Sequence, residues 1–265
     1  MSITMDPRRM GGVARLYGEN EAERLARLHV VVVGLGGVGS WCAEALVRTG
    51  IGRLTLVDGD TVALSNTNRQ LPALDGNYEK PKAEVLAERF RHINPECAVE
   101  TKIAFVKEEN AAEILPKDAD WVIDCIDDLA GKTALVGTAA KAGLRVVSSG
   151  GAGGKRDPGR IRVDDLARAK GDPLVAKLRT NLRRQYGFPA GSASGKSKPF
   201  GIPCVYSDEP LRQPAAESVA AIGAAPGTRI GFGSGVVVTG SVGLRLASLV
   251  VNATVEAEAN EESSR

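Results

Sequence analysis

Apolar residues in this chain fall in short aliphatic runs, separated by stretches with helical spacing. The first run, His29-Val30-Val31-Val32-Val33, does not alternate with polar residues, so it predicts a strand buried on both faces. Gly34-Leu35-Gly36-Gly37-Val38-Gly39 follows at once, and Ser40 to Arg48 reads as helix. Arg53 to Asp58 predicts a second strand. Pro81 opens a helix to Ile93, which Asn94-Pro95 stops. Further strands are predicted near Val99–Ala104, Trp121–Ile126 and Leu144–Ser149, with a helix over 133–142 and another over 12–28. Strands alternating with helices predict an α/β, doubly wound, Rossmann-like and mostly parallel sheet with right-handed crossovers. Beyond it the pattern is less regular: a hinge at Gly150–Gly154, a strand at Arg160–Val163, a basic helix at Pro173–Tyr186, a Gly/Ser/Lys loop at Gly191–Lys198 and an apolar tract at Gly231–Val251. The implied organisation is a helical arm (1–28), a nucleotide-binding domain (29–154), a C-terminal region (155–251) and a disordered acidic tail (252–265).

Composition narrows this picture. The 265 residues are 43% hydrophobic and 25% charged, which excludes disorder as the dominant state. Aromatics are only 4% and glycines number 31, so the core is built of Val, Leu, Ile and Ala around many tight turns. The net charge of +2 demands no nucleic-acid partner, but residues 155–198 hold twelve Lys/Arg against four Asp. Cys42, Cys97, Cys125 and Cys204 form no C-x-x-C pair, which argues against a zinc site and a disulfide scaffold. A reducing cytoplasm is the expected location. The tract at 231–251 approaches membrane-spanning length, but Arg245 and its glycines favour a buried or interface helix, with no membrane partner.

The Gly34-x-Gly36-x-x-Gly39 loop sits between strand and helix, where backbone N–H groups approach phosphate. Asp58, 19 residues past Gly39, ends the second strand and can accept from ribose hydroxyls. This fingerprint alone favours NAD over ATP without deciding between them. Neighbouring residues reverse the preference. The two histidines, His29 and His92, sit on a core strand and at a helix end, so neither suits hydride chemistry. Asn66, Arg69 and Gln70 cluster after the second strand. Lys82 shares a helix face with Leu86, Phe90 and Ile93 and points along the C-terminal edge of the sheet. Asp124 and Asp127 bracket the end of the fourth strand, which places Asp127 to hold Mg²⁺ on phosphates or to cap the next helix. Cations around developing pyrophosphate charge suit a triphosphate.

These residues, Gly34–Gly39, Asn66-x-x-Arg69-Gln70, Lys82 and Asp127, resemble the adenylation core of the ubiquitin-activating and molybdopterin/thiamine adenylyltransferase superfamily. Further stretches are similar to its branch of dehydratases acting on threonylcarbamoyladenosine in tRNA: Ala14–Gly18, Arg48–Gly52, Ile93–Cys97, Gly150–Gly154, Asp172–Arg179 and Cys204–Ser207. The resemblance runs from about residue 10 to about 211 and weakens beyond Gly227. It implies an ATP-dependent enzyme that adenylates the threonyl carboxylate beside the anticodon and lets it close into a ring. It implies ATP at Gly34, Gly36, Gly37, Gly39, Asp58, Asp60, Asn66, Arg69, Gln70 and Lys82, and Mg²⁺ at Asp127. It further implies that Arg69, Lys82, Asp127 and Arg15 carry the catalysis, with Arg15 matching an arginine that reaches the nucleotide of the partner subunit in a homodimer. No zinc is expected. Lys177, Arg179, Arg183, Arg184, Lys196 and Lys198 become candidates for gripping tRNA, and a cysteine desulfurase or sulfur-acceptor system a candidate protein partner. Cys204 is a weak candidate acyl acceptor. The competing readings are adenylation of the C-terminus of a sulfur-carrier or ubiquitin-like protein, and a non-catalytic nucleotide-binding scaffold.

Overall fold

In the computed structural model, residues 6–191, 197–213 and 232–256 are described. Five aliphatic runs form parallel strands: β1 (His29–Val33), β2 (Arg53–Val57), β3 (Ala98–Lys102), β4 (Trp121–Asp124) and β5 (Arg145–Ser149). Two more, β6 (Ile161–Asp165) and β7 (Pro203–Ser207), come from the less regular C-terminal part. All seven make one sheet in the order β3-β2-β1-β4-β5-β7-β6, with β7 parallel to β5 and β6 antiparallel at the edge. The sheet therefore runs across residue 154, and the nucleotide-binding and C-terminal regions share a core.

Helices cover both faces. The arm comprises α1 (Pro7–Tyr17) and α2 (Glu19–Leu25), and α3 (Gly39–Arg48) and α4 (Lys82–Ile93) follow β1 and β2. Short α5 (Ala111–Ile114), α6 (Leu129–Lys141), α7 (Pro173–Tyr186) and α8 (Val236–Val255) complete the set among the described residues. Along β1 the side chains split by pleat: Val30 and Val32 join the layer with α3, α4 and α8, while Val31 and Val33 join the layer with α5, α6 and α7. All five β1 residues are buried, which is why the run shows no alternation.

Two expectations are corrected. The helix predicted over 12–28 is two helices, because Gly18 turns the chain with φ +107° between them. The strand at Pro203–Ser207 was not among the predicted elements, since five residues opening on Pro and ending on Ser carry little periodic signal. The C-terminal apolar tract is helix over Val236–Val255, long and apolar enough to cross a membrane. Half of that apolar window is buried within the protein, against α3, α2 and the sheet. Its last turn extends into the segment expected to fray, and residues 257–265 lie outside the described residues.

The arm is anchored at the N-terminal edge of the sheet. Arg9 donates to the carbonyl of Ile93 at 3.2 Å, the Asp6 amide to Glu96 at 3.1 Å, and the Gly52 amide to the carbonyl of Leu25 at 3.3 Å. The hinge after β5 is held by the end of β7. Glu209 accepts from the amides of Arg156 and Asp157 at 2.8 and 2.9 Å, and buried Lys155 donates to the carbonyls of Ser207 and Glu209. The two amides hold the Glu209 carboxyl far below its usual range, at about 2. A depressed carboxyl contributes stability above its unfolded value of about 4.5, and that contribution is lost as pH falls towards 2. Glu209→Gln is expected to lower the melting temperature near neutral pH, with the gap from the parent chain closing between pH 4.5 and 2. A pH-independent gap in thermal melts would contradict this account of the hinge.

Candidate active site

The strand order places β1 beside both β2 and β4, so successive crossovers leave on opposite faces and a crevice opens above the C-terminal ends of β1 and β4. The Gly34–Gly39 loop forms its floor. A Cβ on Gly39 would strike the carbonyl oxygen of Gly34, and one on Gly34, at φ +86°, would lie 2.8 Å from the carbonyl oxygen of Cys125. Both glycines are thus required by the protein's own packing. At Gly36 the same direction meets only the Gln70 amide nitrogen, at 3.8 Å, which leaves the loop backbone open to an incoming group. Thr239 of α8 and Arg69 close over Gly37, each 3.1 Å from its Cβ position.

Asp58 holds this loop from β2: its carboxylate accepts from the Leu35 amide at 2.6 Å and the Asp60 amide at 2.8 Å. Asp60 in turn pairs with Lys82 at 3.0 Å. Lys82 opens α4 on the helix's buried stripe and is itself buried, so its ammonium reaches the crevice edge with one exposed carboxylate as partner. A phosphate can replace that carboxylate without the lysine moving far.

The segment after β2 is stapled in place. Asn66 accepts from the Ala63 amide at 3.0 Å, and Trp41 of α3 donates to the Arg69 carbonyl at 3.0 Å. Asn68 donates to the Ser234 carbonyl, at the entry to α8, at 2.6 Å. The Arg69 guanidinium turns back on the Ser65 carbonyl and the Asn68 side chain, each 3.0 Å away. Gln70 is buried, and its side-chain oxygen has no hydrogen-bond partner among the described residues, so it is open to a donor from a ligand. Gln70 thus lies against Gly36 with unspent polar capacity.

Asp127 is exposed and makes no hydrogen bond among the described residues. The cap of α6 is Asp128, which accepts from the Gly131 amide at 2.8 Å. The capping role open to Asp127 in the sequence thus belongs to its neighbour, and Asp127 stands exposed in the turn beyond the C-terminal end of β4. Among the described residues no group of three or more His, Cys, Asp or Glu could hold a metal. Asp127 alone fits the way Mg²⁺ is held, by one or two carboxylates with phosphate oxygens and water.

Two residues near this site escaped the sequence reading. Phe105, 59% exposed beyond β3, lays its ring on the backbone of Gly59, 2.6 Å from the Cβ position there and next to Asp58. Lys132 is a fully buried cation on α6. The signal for Lys132 was legible, since it is the one charge within the apolar stretch Leu129–Ala140.

The two histidines stand where the sequence pattern puts them: His29 is buried on β1 and bonds Thr55 at 2.8 Å, and His92 lies near the end of α4. Cys204 is buried, and burial raises all four thiols, Cys97 to about 12, against activation as a nucleophile. The basic segment divides. Arg179 turns inward to the carbonyls of Leu166 and Ala169, at 3.3 and 2.7 Å. Arg183 donates to the Pro189 carbonyl at 3.0 Å and stacks 5.4 Å over the Phe200 ring. Lys177, Arg184 and Lys198 are exposed, while Lys196 lies outside the described residues. Lys177 and Arg184, seven residues apart, share a stripe of α7. A shallow cleft of about 280 Å³ between the first turn of α6 and α7 is lined by Leu129, Ala176, Lys177, Thr180 and Asn181. Arg15 is exposed on α1.

A model of the ThiF family matches residues 9–175. Two tRNA threonylcarbamoyladenosine dehydratases are similar over nearly the whole chain. That of Haemophilus influenzae is 41% identical over 244 residues, 92% of each chain, and that of Escherichia coli 46% over 242 residues, 89% of each. The solved structure of the E. coli tRNA N6-threonylcarbamoyladenosine dehydratase in complex with ATP matches with a TM-score of 0.84 at 42% identity, covering 96% of both chains. The molybdopterin-synthase adenylyltransferase of H. influenzae is 41% identical over 107 residues, 40% of this chain. A glycine loop at a Rossmann-like switch point, cations beside it and this full-length similarity converge: the chain belongs to the ThiF family, in its branch of tRNA threonylcarbamoyladenosine dehydratases.

Proposed function

We propose that the protein is an ATP-dependent enzyme that dehydrates threonylcarbamoyladenosine in tRNA to a cyclic form. The observation that carries the reading is the arrangement at the switch point: open backbone at Gly36, flanked by Gln70, Arg69, Lys82 and a free Asp127. The threonyl carboxylate attacks the α-phosphorus of ATP, pyrophosphate leaves, and an acyl adenylate remains. The neighbouring carbamoyl group then attacks the activated carbonyl and AMP departs, for a net loss of one water from the nucleoside. Activation is needed because oxide is a very poor leaving group and AMP a good one. Ring closure is intramolecular, where effective molarities of about 10⁵–10⁸ M are attainable.

The chain's residues serve this sequence in turn. Gly36 admits the phosphates to the loop amides at the start of α3. Asp58 keeps its bonds to the loop amides and offers the remaining lone pairs of its oxygens to ribose hydroxyls, and Phe105 provides an apolar surface beside them. Lys82 and Arg69 exchange their internal acceptors for phosphate oxygens and offset charge building on pyrophosphate. Asp127 would hold Mg²⁺, which when bound offsets triphosphate charge. Buried Cys204 with a raised thiol supports direct ring closure over a thioester relay, and four free cysteines fit a cytoplasmic enzyme. Similarity over 92% of the chain, against 40% for the adenylyltransferase, favours a tRNA over a carrier-protein substrate.

We read the enzyme as a homodimer. The arm that carries Arg15 is anchored at the N-terminal edge of the sheet, opposite the glycine loop, and Leu16 beside it is 73% exposed. This placement supports delivery of Arg15 to a second copy's crevice. Mixing inactive Arg15→Ala with inactive Lys82→Ala should then restore activity, since some mixed dimers hold one intact site. Failure of these mixtures to regain activity after subunit exchange would refute the crossed arrangement.

The decisive assay is incubation with ATP, Mg²⁺ and tRNA from cells lacking this activity, with nucleoside mass spectrometry for loss of one water. Pyrophosphate release should require modified tRNA, and Arg69→Ala should slow it by about 10²–10³-fold, in the range of removing one charge-stabilising donor. Release driven by a small carrier protein instead of tRNA would support the adenylyltransferase reading. For tRNA binding, exposure now points to Lys177 and Arg184 rather than Arg179 and Arg183. Lys177→Glu with Arg184→Glu should weaken tRNA binding and reduce the salt slope of log affinity by about 1–2. An unchanged slope would place the tRNA elsewhere.

A further inference from the structure

We propose that Lys132 is a positioning residue for this site: buried beneath the crevice, it fixes the turn that carries Asp127. The inference rests on reading Asp127 as the Mg²⁺ ligand. Lys132 and Asp124 are both fully buried, with ammonium and carboxylate 2.7 Å apart. Asp124 also accepts from the Ser148 hydroxyl at 2.6 Å and the Ile126 amide at 3.2 Å. Lys132 donates in addition to the Ile126 carbonyl at 2.9 Å. Both backbone groups of Ile126, the residue just before Asp127, are therefore tied to this one pair. On the other side Asp128 is locked as the cap of α6. Asp127 hangs between two fixed points with its own carboxylate free.

The same turn touches the glycine loop, since the Cβ direction of Gly34 lies 2.8 Å from the Cys125 carbonyl and 3.1 Å from the Ile126 amide. The pair thus sets the distance between the phosphate-binding backbone and the metal-binding carboxylate. A buried ion pair of this kind is often no more stabilising than apolar residues of the same size. Positioning gives it a purpose that packing does not, because a metal site tolerates little error in ligand placement.

The test is a double-mutant cycle on the full-length enzyme, with tRNA dehydration measured across a Mg²⁺ titration and, without tRNA, Mn²⁺ binding to the ATP complex read by electron paramagnetic resonance and expected to weaken in Lys132→Met. Lys132→Met should cut kcat by about 10–100-fold and raise the Mg²⁺ concentration for half-maximal rate, with little change in KM for ATP. In an Asp127→Ala background the same change should have almost no further effect. Should Lys132→Met fail to fold, Asp124→Asn with Lys132→Met removes both buried charges and takes its place in the cycle, with thermal melting to check the fold. Losses that multiply in the double variant, or an unaltered Mg²⁺ requirement, would overturn the positioning role. Full activity of Asp127→Ala would sink the metal-ligand reading itself, a failure distinct from additivity.

Discussion

The crevice depends on one close approach: the glycine loop after β1 lies directly on the backbone leaving β4. No side chain fits between the Gly39 Cα and the Gly34 carbonyl, or between Gly34 and Cys125. That contact joins neighbouring parallel strands whose following helices lie on opposite faces of the sheet, so it creates the switch point and lines it at once. The loop amides and the turn that carries Asp127 are consequently placed by strand pairing and not by loop flexibility.

Around that contact most polar side chains are held by partners within the protein. Asp58 holds loop amides, Lys82 holds Asp60, and Arg69 holds a carbonyl and Asn68. Each side chain is oriented by the protein itself, and the partners of Lys82 and Arg69, an exposed carboxylate and neighbouring loop groups, can be traded for phosphate oxygens. The Gln70 oxygen is the exception, with no hydrogen-bond partner among the described residues. This preorganisation is what lets a few charged groups act strongly on developing charge.

The basic segment shows how far charge counting reaches. Twelve cations within 155–198 suggest one surface. In the fold, Lys155, Arg179 and Arg183 bond carbonyls, and Arg160 and Arg162 share Asp208 at 2.7 and 3.2 Å. These hold β6, β7 and α7 on the sheet. Those with exposed heads, Lys177 and Arg184 among them, are the ones available to a phosphate backbone.

The amino-acid sequence by itself determined the parallel α/β architecture, the glycine loop, the bounds of the basic helix Pro173–Tyr186 and the residues that ring the crevice. These are local properties: aliphatic runs, glycine spacing and helix caps act within a few residues of chain. Only the tertiary structure decided that β6 and β7 extend the same sheet, that Arg179 turns inward to the carbonyls of Leu166 and Ala169, that Arg183 packs on Phe200, and that Lys132 lies buried beneath the end of β4. Each of these turns on which distant segment supplies a partner or excludes water, and spacing along the chain carries no record of that.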